Sequence, residues 1–332
     1  MHRRIVITGL GAVTPVGIGV EAYWQALLGG TSGVSEITLF DAGEYPCRIA
    51  GEVKGFRASD WFDRKQARLM SRGTQFGVAS ALMALEDGLW QSRQGDGALA
   101  VAAGISNSAQ DAIEAAIDTL RERGYHRTRP HVLTKCFPHS PAAEAGRLTG
   151  FQNEVITMST ACTAGFNALV YAADAIRQRR SDAVLCLSTD ASISRYVFAY
   201  FCRSGLVTTH YNDDPSRASR PFDADRDGGV LGEGAGCLLV EELGHALRRG
   251  APIYAELLGL GTCGSGYNDN PDEQIPLGMA EAMWQALCSA NCDPSHVGYI
   301  GAHGASDPHL DAWETQALKS VFGAGAYRIP LS

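Results

Sequence analysis

The sequence lacks three features that would assign it to a large class of proteins. It has no run of about 18 or more apolar residues, so it predicts no transmembrane helix. Its nine cysteines are odd in number, include no Cys-x-x-Cys pair and lie partly in apolar runs, so we expect no disulfide framework and a reducing, cytoplasmic location. Lysine and arginine total 28 against 36 acidic residues, a formal charge of −8, which argues against nucleic acid as the main partner.

Metal and nucleotide motifs are incomplete as well. Cys288, Cys292 and His296 lack the second Cys–His pair that a closed zinc site needs, so no metal is expected. The stretch 9–14 has two glycines of a dinucleotide-binding fingerprint but not the third, and the stretch 232–236 is too short to indicate phosphate binding. We interpret both glycine-rich stretches as turns or loops and predict no bound cofactor.

What the chain does contain is a regular alternation of strand-like and helix-like segments. The strand-like runs are Ile5–Thr8, Ala98–Ala103, Val155–Met158, Ala183–Ser188, Cys237–Glu241, Tyr254–Gly259, Val297–Ile300 and Tyr327–Pro330. The helical patterns are Glu21–Leu28, Arg64–Leu89, Ala109–Arg123, Ala142–Leu148, Ala164–Arg180, Gly278–Ala290 and Leu310–Phe322. This order predicts an α/β protein with mostly parallel, buried sheets. The best internal boundary lies around residues 241–254.

Cys162 stands between a predicted strand and a predicted helix. The strand 155–158 precedes it, and the helix 164–180 follows with apolar residues near a 3.6-residue period. A thiol at a helix N-terminus meets unpaired N–H groups and the positive end of the helix dipole, which favour the nucleophilic thiolate. Two interpretations remain open at this point, a catalytic nucleophile and a buried cysteine that packs as a small hydrophobe.

His303 follows the predicted strand 297–300 in a glycine-flanked loop. The carboxyl end of a parallel strand is where open α/β proteins bind ligands, so this histidine is a second candidate for chemistry. The alternative is a purely structural histidine. Asp311 and Glu314 lie one turn apart on the next predicted helix and are further candidates. The alternative is a solvated helix start, where acidic side chains are favourable because they lie near the positive end of the helix dipole.

Several ordered motifs resemble the β-ketoacyl synthases of the condensing-enzyme family. They read "RRIVITGLGAVTPVG", "MSRGTQFGVASALMAL", "STACTAGFNALVYAADAI", "NDDPSRASRPFDADRDGGVLGEGAGCLLVEEL", "IYAELLGLG" and "GAHGASDPHLDAWETQALKSVFG". The resemblance runs from residue 3 to the last residue. It implies the thiolase-like fold, two pseudo-equivalent halves in five α-β-α-β-α layers, with an N-terminal half 1–245 that carries the nucleophile. A partial, incomplete C-terminal half, 246–332, carries the histidine loop.

The resemblance also implies a reaction and its partners. Cys162 would take an acyl group from the phosphopantetheine arm of an acyl carrier protein, which is a substrate carrier and not a bound cofactor. His303 would hydrogen-bond the malonyl thioester carbonyl while carbon dioxide leaves and an enolate forms. The enolate would attack the acyl-Cys162 thioester and give a β-ketoacyl product. Asp311 and Glu314 would support the site, and the chain would form a homodimer or a heterodimer with a homologous ketosynthase or chain-length-factor subunit.

The chain departs from the family pattern in the loop after the histidine. The family usually reads His-Gly-Thr-Ser-Thr there, and this chain has Ala305, Ser306 and Asp307 in place of the last three residues. Pantetheine recognition is therefore expected to differ, with Ser306 and Asp307 as the candidate contacts. The stretch 104–110 lacks the usual double glycine, so it does not indicate the length of the acyl chain.

The end of the sequence leaves the function open among three alternatives. Family members continue past the equivalent of "YRIPLS" with a lysine, a second histidine and a glycine-rich loop. We expect either that the natural chain continues or that another chain supplies these groups, and that these residues alone self-acylate without condensing. The interpretation is a ketosynthase of polyketide or fatty-acid synthesis, with "TACTAG" more like polyketide subunits. The alternatives are a non-condensing chain-length-factor-like subunit and an acyltransferase that uses Cys162 without decarboxylation.

Overall fold

The computed structural model describes residues 3–91, 99–107, 109–151, 153–266 and 270–332. The strands are β1 Ile5–Thr14, β2 Gly17–Ile18, β3 Ser35–Glu36, β4 Ile49–Ala50, β5 Leu99–Gly104, β6 Glu154–Met158, β7 Ala183–Ala191, β8 Glu233–Glu242 and β9 Ala255–Glu256. The helices are α1 Val20–Leu28, α2 Arg64–Leu69, α3 Arg72–Asp87, α4 Gln110–Arg123, α5 His131–Cys136, α6 Ser140–Thr149, α7 Ala164–Arg177, α8 Arg195–Ser204, α9 Leu243–Arg249, α10 Pro271–Ala290 and α11 Pro308–Phe322. Ala98 and Ser108, which belong to two of the interpreted stretches, lie outside the described residues.

The chain divides into two compact units that interleave along the sequence. The first unit consists of the chain up to Glu44 together with Ile49–Tyr200 and Leu231–Glu256. The second unit consists of Tyr45–Arg48, Phe201–Val230 and Leu257–Ser332. Cys162 belongs to the first unit and His303 to the second.

A mixed sheet forms the centre of the first unit. Its strand order is β2-β1-β8-β7-β5-β6, with β9 also paired to β1. Among the described strands of this sheet, β5 pairs in parallel with β6 and with β7, whereas β8 runs antiparallel to both β1 and β7. The expectation of a mostly parallel sheet was therefore wrong. Continuous apolar runs indicate that both faces of a strand are buried, and they carry no information about strand direction.

Helix α3 packs against β1 at two glycines. A Cβ atom at Gly9 would overlap the carbonyl oxygen of Ala84, and one at Gly11 would overlap that of Ser80. The stretch 9–14 is therefore part of strand β1, and its glycines have no side chains to block the close approach of α3. The stretch 232–236 lies largely in β8. The interpretation of both as turns or loops was wrong, because close backbone packing requires glycine as much as a turn does.

In the second unit, α10 packs against α11. Ala280, Ala317 and Val321 form its buried apolar cluster. The strands predicted at 254–259, 297–300 and 327–330 are largely absent from the described residues. Only β9 and a single bridge between Ile300 and Leu331 form there. A β-favouring run becomes a strand only where a neighbouring strand satisfies its backbone, and local propensity does not supply that neighbour.

Candidate active site

Cys162 lies on a short 3-10 turn, Ala161–Thr163, between the end of β6 and the start of α7. The Thr163 hydroxyl donates to the Thr160 carbonyl oxygen at 2.8 Å, and the Asn167 amide nitrogen donates to the Thr160 hydroxyl at 2.7 Å. These hydrogen bonds fix the 3-10 turn that carries Cys162 to the first turn of α7. Cys162 itself is exposed, so the interpretation as a buried packing residue does not apply to it.

The backbone around Cys162 is constrained on both sides. Ala161 has a φ of 53°, in the left-handed region that non-glycine residues rarely adopt. On β5, a Cβ atom at Gly104 would overlap the backbone of Ala164, so this glycine lets the start of α7 approach the sheet. Strained backbone of this kind persists where the surrounding structure over-determines it, and it is often found at active sites. The turn therefore presents the Cys162 thiol from a fixed position at the helix N-terminus.

The other cysteines occupy different environments. Burial raises the pKa of Cys186 to about 12 and also raises the pKa values of Cys136, Cys202 and Cys237. Apart from Cys162, the exposed cysteines are Cys263 and Cys288, and neither lies at the start of a helix. Of the three exposed cysteines, Cys162 is therefore the one that stands at the start of a helix.

An apolar groove of about 540 Å³ runs beside Cys162 along α7. Phe166 and Leu169 of α7 form one wall, and Leu10 of β1 and Leu238 of β8 form the floor. Phe166 is 74% exposed, although it stands on a helix that packs on the sheet. The floor belongs to central strands of the sheet, whose faces helices normally cover in α/β proteins.

In the second unit, Glu314 holds the loop that carries His303. Its two carboxylate oxygens accept from the backbone N–H groups of His303, at 2.8 Å, and Gly304, at 3.0 Å. Glu314 is only 7% exposed, whereas His303 is exposed. A buried carboxylate therefore fixes the backbone of the loop and leaves the imidazole accessible.

Asp311 connects the same helix to the stretch 220–228. Its carboxylate accepts from the Phe222 N–H at 2.8 Å and lies 3.3 Å from the Arg226 guanidinium. Phe222 has a φ of 63°, so this contact holds a strained residue. Asp311 is 1% exposed, so its carboxylate contacts the loop at Phe222 and does not face solvent.

Ser306 and Asp307 make internal contacts. The Ser306 hydroxyl accepts from the Arg220 N–H at 3.0 Å, and Ser306 is fully buried at a φ of 61°. The Asp307 carboxylate caps α11 by accepting from the N–H groups of His309 and Leu310, both at 2.9 Å. These contacts give both side chains a structural task, and their role as pantetheine contacts stays a prediction.

The structure gathers five of the six predicted residues in one unit. His303, Ser306, Asp307, Asp311 and Glu314 lie together on the loop and the first turns of α11. The pairing of Cys162 with His303 stays a prediction. Within the described ranges, no group of three or more His, Cys, Asp or Glu side chains could hold a metal ion, and no helix is long and apolar enough to cross a membrane.

Sequence reasoning missed Asp190, at the carboxyl end of β7. Its carboxylate accepts from the N–H groups of Ser106, at 2.9 Å, and Asn107, at 2.7 Å, in the loop that follows β5. Asp190 thereby joins the carboxyl ends of two parallel strands on the edge of the sheet that also carries Cys162. The available signal was an acidic residue at the end of an otherwise apolar run, 183–191.

Comparison with known proteins identifies the family. The model of the β-ketoacyl synthase N-terminal domain matches residues 2–246, and that of the β-ketoacyl synthase C-terminal domain matches residues 254–332. The chain belongs to the β-ketoacyl synthase family. The resemblance inferred from the sequence motifs is confirmed, and with it the thiolase-like α/β fold class and an enzyme that transfers acyl groups with carbon–carbon bond formation.

Curated relatives extend over nearly the whole chain. A 3-oxoacyl-[acyl-carrier-protein] synthase 2 of Vibrio cholerae is 36% identical over 332 residues, which are 99% of this chain and 80% of that protein. The enzyme of the same name from Coxiella burnetii is 37% identical over 331 residues, 99% of this chain and 80% of its own. This chain thus spans about four-fifths of the length of these relatives.

Solved structures agree with the family assignment. A β-ketoacyl synthase from Burkholderia phymatum superposes with a TM-score of 0.87 at 32% identity, over 97% of this chain and 78% of that one. The ishigamide ketosynthase/chain length factor gives the same values. A type II polyketide synthase acyl-carrier protein in complex with its ketosynthase bound to the hexaketide gives a TM-score of 0.86 at 30% identity, over 100% of this chain and 80% of that one.

Proposed function

We propose that the chain catalyses the decarboxylative Claisen condensation of an acyl group with malonyl-acyl carrier protein, in polyketide or fatty-acid synthesis. The observation that carries the assignment of the site is the exposed Cys162 thiol, fixed at the N-terminus of α7 in a β-ketoacyl synthase. The two halves would be residues 1–245, with the nucleophile, and residues 246–332, with the histidine loop.

In the first half-reaction, the Cys162 thiolate attacks the thioester carbonyl of an acyl group on the phosphopantetheine arm. The bond from the acyl carbon to the pantetheine sulfur breaks, and the departing thiolate takes up a proton. Cysteine suits this step because it is both a good nucleophile and a good leaving group.

In the second half-reaction, the carboxylate of the malonyl thioester leaves as carbon dioxide. The electron pair of the broken carbon–carbon bond forms an enolate, whose oxygen His303 stabilises by donating a hydrogen bond. The enolate carbon attacks the acyl-Cys162 carbonyl, and the Cys162 thiolate departs. Glu314 contributes by accepting hydrogen bonds from the backbone N–H groups of His303 and Gly304, which fixes the backbone position from which the imidazole side chain extends.

An acyl carrier protein and a second ketosynthase-fold subunit are the proposed partners. The carrier protein brings the substrate on its phosphopantetheine arm, and no other cofactor is needed. Support for the second subunit comes from β6, the last strand in the sheet order, whose Val155 is 42% exposed. An edge strand with an exposed apolar residue is suited to pairing with another chain. The second subunit would be either a copy of this chain or a chain-length-factor-like homologue.

The reducing cytosol is the proposed location. All nine cysteines are free, as they are in proteins of a reducing compartment. We propose neither nucleic acid nor membrane as a partner. The net charge of −8 disfavours the phosphate backbone.

The test follows each half-reaction separately. Incubation with acyl-acyl carrier protein should add the acyl mass to the peptide that contains Cys162, and Cys162→Ala should abolish this mass while Cys263→Ala, at another exposed cysteine, should not. His303→Ala should leave acylation intact and slow the release of labelled carbon dioxide from malonyl-carrier protein about 10²–10³-fold. Acylation without carbon dioxide release that persists after a homologous ketosynthase subunit is added would favour a simple acyltransferase. Absence of both activities would favour a non-condensing subunit.

A further inference from the structure

Lysine is rare in this chain, and one lysine is placed unlike the others. Of the 28 lysine and arginine residues, only Lys54, Lys65, Lys135 and Lys319 are lysines. Lys54, Lys65 and Lys319 are exposed, whereas Lys135, on α5, is half-buried. A half-buried ammonium group loses part of its hydration, so lysine is seldom placed there without an anionic partner. Lys135 is therefore expected to have such a partner nearby.

Lys135 lines a cavity of about 240 Å³ in the first unit, and this cavity contains no such partner. One wall is a face of α4 with small side chains, which include Ala112, Ala115 and Ala116. The cationic side chains of the lining are Arg127, Arg129 and Lys135, and no carboxylate is among the lining residues. The cavity thus brings three positive charges together beside an open space.

The acidic side chains of α4 are occupied outside this cavity. Arg195 donates to Asp118 at 2.6 Å and lies 3.5 Å from Glu114. Within the described ranges, the three cationic side chains of the cavity form no ion pair. Like charges without a carboxylate repel one another, and an anion in the cavity relieves that repulsion.

The surroundings also activate the amine of Lys135. Burial lowers the pKa of this amine, and the Arg68 and Arg129 guanidinium groups act in the same direction, against the opposing charges of Asp111 and Cys136. Desolvation and a neighbouring cation are two ways in which proteins turn lysine into a nucleophile. An arginine at the same position would stay protonated and could not serve as one.

We propose that Lys135 is a modification site, at which the amine is acylated by a malonyl thioester whose free carboxylate is held by the Arg127 and Arg129 guanidinium groups. This inference rests on the proposed function for the supply of that thioester. The neutral amine attacks the thioester carbonyl, a carbon–nitrogen bond forms and the carbon–sulfur bond breaks. The departing thiolate takes up the proton that the amine releases. The ammonium group is replaced by an amide that carries a carboxylate, and this carboxylate is the anion that the cavity lacks.

The test compares an anionic with a neutral acyl group. The protein is incubated with the N-acetylcysteamine thioester of malonic acid or of butanoic acid, and acylation of each lysine is followed by peptide mass mapping. We expect the malonyl thioester to acylate Lys135 about tenfold faster than the butanoyl thioester does, because only the malonyl group offers a charge to the guanidinium groups. The exposed Lys54, Lys65 and Lys319 are internal controls, which should react more slowly and without a preference for malonyl.

Substitutions test whether the charges of the cavity cause the preference. The double variant Arg127→Gln and Arg129→Gln should bring the ratio of the malonyl rate to the butanoyl rate near one. The ratio is the measured quantity because the loss of a guanidinium group also changes the reactivity of the amine, equally for both thioesters. Arg121→Gln changes an arginine of α4 outside the cavity lining and should leave the ratio unchanged. Lys135→Arg keeps the positive charge and should abolish the adduct on its peptide.

Cys162→Ala separates this inference from the proposed function. Lys135 should be acylated at the same rate in that variant, since the amine reacts with the thioester directly. Loss of the Lys135 adduct in Cys162→Ala would show that the malonyl group arrives through Cys162 and would overturn direct capture. Equal rates with malonyl and butanoyl thioesters, or faster acylation of an exposed lysine, would refute the site at Lys135 and leave the proposed function as it stands.

Discussion

At the scale of single residues, exposure separates Cys162 from most of its eight counterparts. Three cysteines are exposed, and four others have thiols whose pKa values burial raises. Only a thiol that is both accessible and easily ionised reacts readily. Cys162 combines exposure with a position at the start of α7.

Selective alkylation measures this difference. At mildly acidic pH, a limiting amount of alkylating agent should label Cys162 ahead of the other eight cysteines, because Cys162 is exposed and stands at the start of a helix. Peptide mass mapping reads the order of labelling. The exposed Cys263 and Cys288 are the internal controls, and labelling of Cys202 or Cys263 first would contradict the nucleophile assignment.

Glu314 offers a second test at the residue scale. Glu314→Gln keeps the size of the side chain but replaces one acceptor oxygen with a donor, which cannot accept from the N–H of His303 or Gly304. We expect carbon dioxide release to fall about tenfold through kcat, since the loop loses one charge-assisted hydrogen bond. Cys162 acylation should be unaffected.

Glu281→Gln is the matched control for this variant. Glu281 accepts from the Gln285 side chain one turn along α10, so its substitution should change neither half-reaction. An equal loss of acylation and decarboxylation in Glu314→Gln would indicate a general structural role and would remove Glu314 from the positioning of His303.

At the scale of elements, one buried carboxylate joins β1, β8 and α9. Glu241 is 0% exposed and accepts hydrogen bonds from Thr8, His245 and Arg249. Burial alone would raise the pKa of Glu241, but these hydrogen bonds outweigh it and lower the pKa from 4.5 to about 2. Removing one partner from a buried ion pair costs about 3 kcal/mol or more, since the other charge stays buried.

The stability of the protein should therefore depend on Glu241 in a defined pH range. A carboxyl group with a lowered pKa in the folded state stabilises that state above its unfolded pKa and loses the effect as the pH falls. For Glu241 this loss runs from about 4.5 down to about 2. In urea unfolding, Glu241→Gln should be less stable than the unmodified protein by about 3 kcal/mol at neutral pH. The difference should shrink as the pH approaches the lower limit, and a constant difference would contradict this account.

The region 64–89 contains a helix boundary that the apolar pattern missed but a capping residue marks. The pattern 64–89 predicts one helix, whereas the structure has α2 and α3 with Met70 extended between them. Asp63 and Gln66 form a capping box at the start of α2, and Ser71 caps α3 by accepting from the Thr74 N–H. Ser71 was the available signal, because serine before a helical stretch favours a new N-terminus over a continuous helix.

At the scale of the whole molecule, the sheet ends at β6 with an exposed edge. Val155→Asp places a charge on that edge and should shift a dimer towards monomer, which light scattering after size-exclusion chromatography measures. Leu247→Asp changes a more exposed apolar residue on α9, 62% exposed, and should leave the mass unchanged. A dimer that persists in Val155→Asp would place the subunit interface elsewhere.

The sequence by itself determined the family, the α/β class, and the positions of Cys162 and His303, since short-range order and motifs are properties of neighbouring residues. Only the tertiary structure decided the directions of β1 and β8, the contact of Asp190 with the loop after β5, and the hold of Asp311 on Phe222. These last two contacts join residues 84 and 89 positions apart. Apolar periodicity reports that a side chain is buried, but the partner of a buried polar group depends on which distant segments the fold brings beside it.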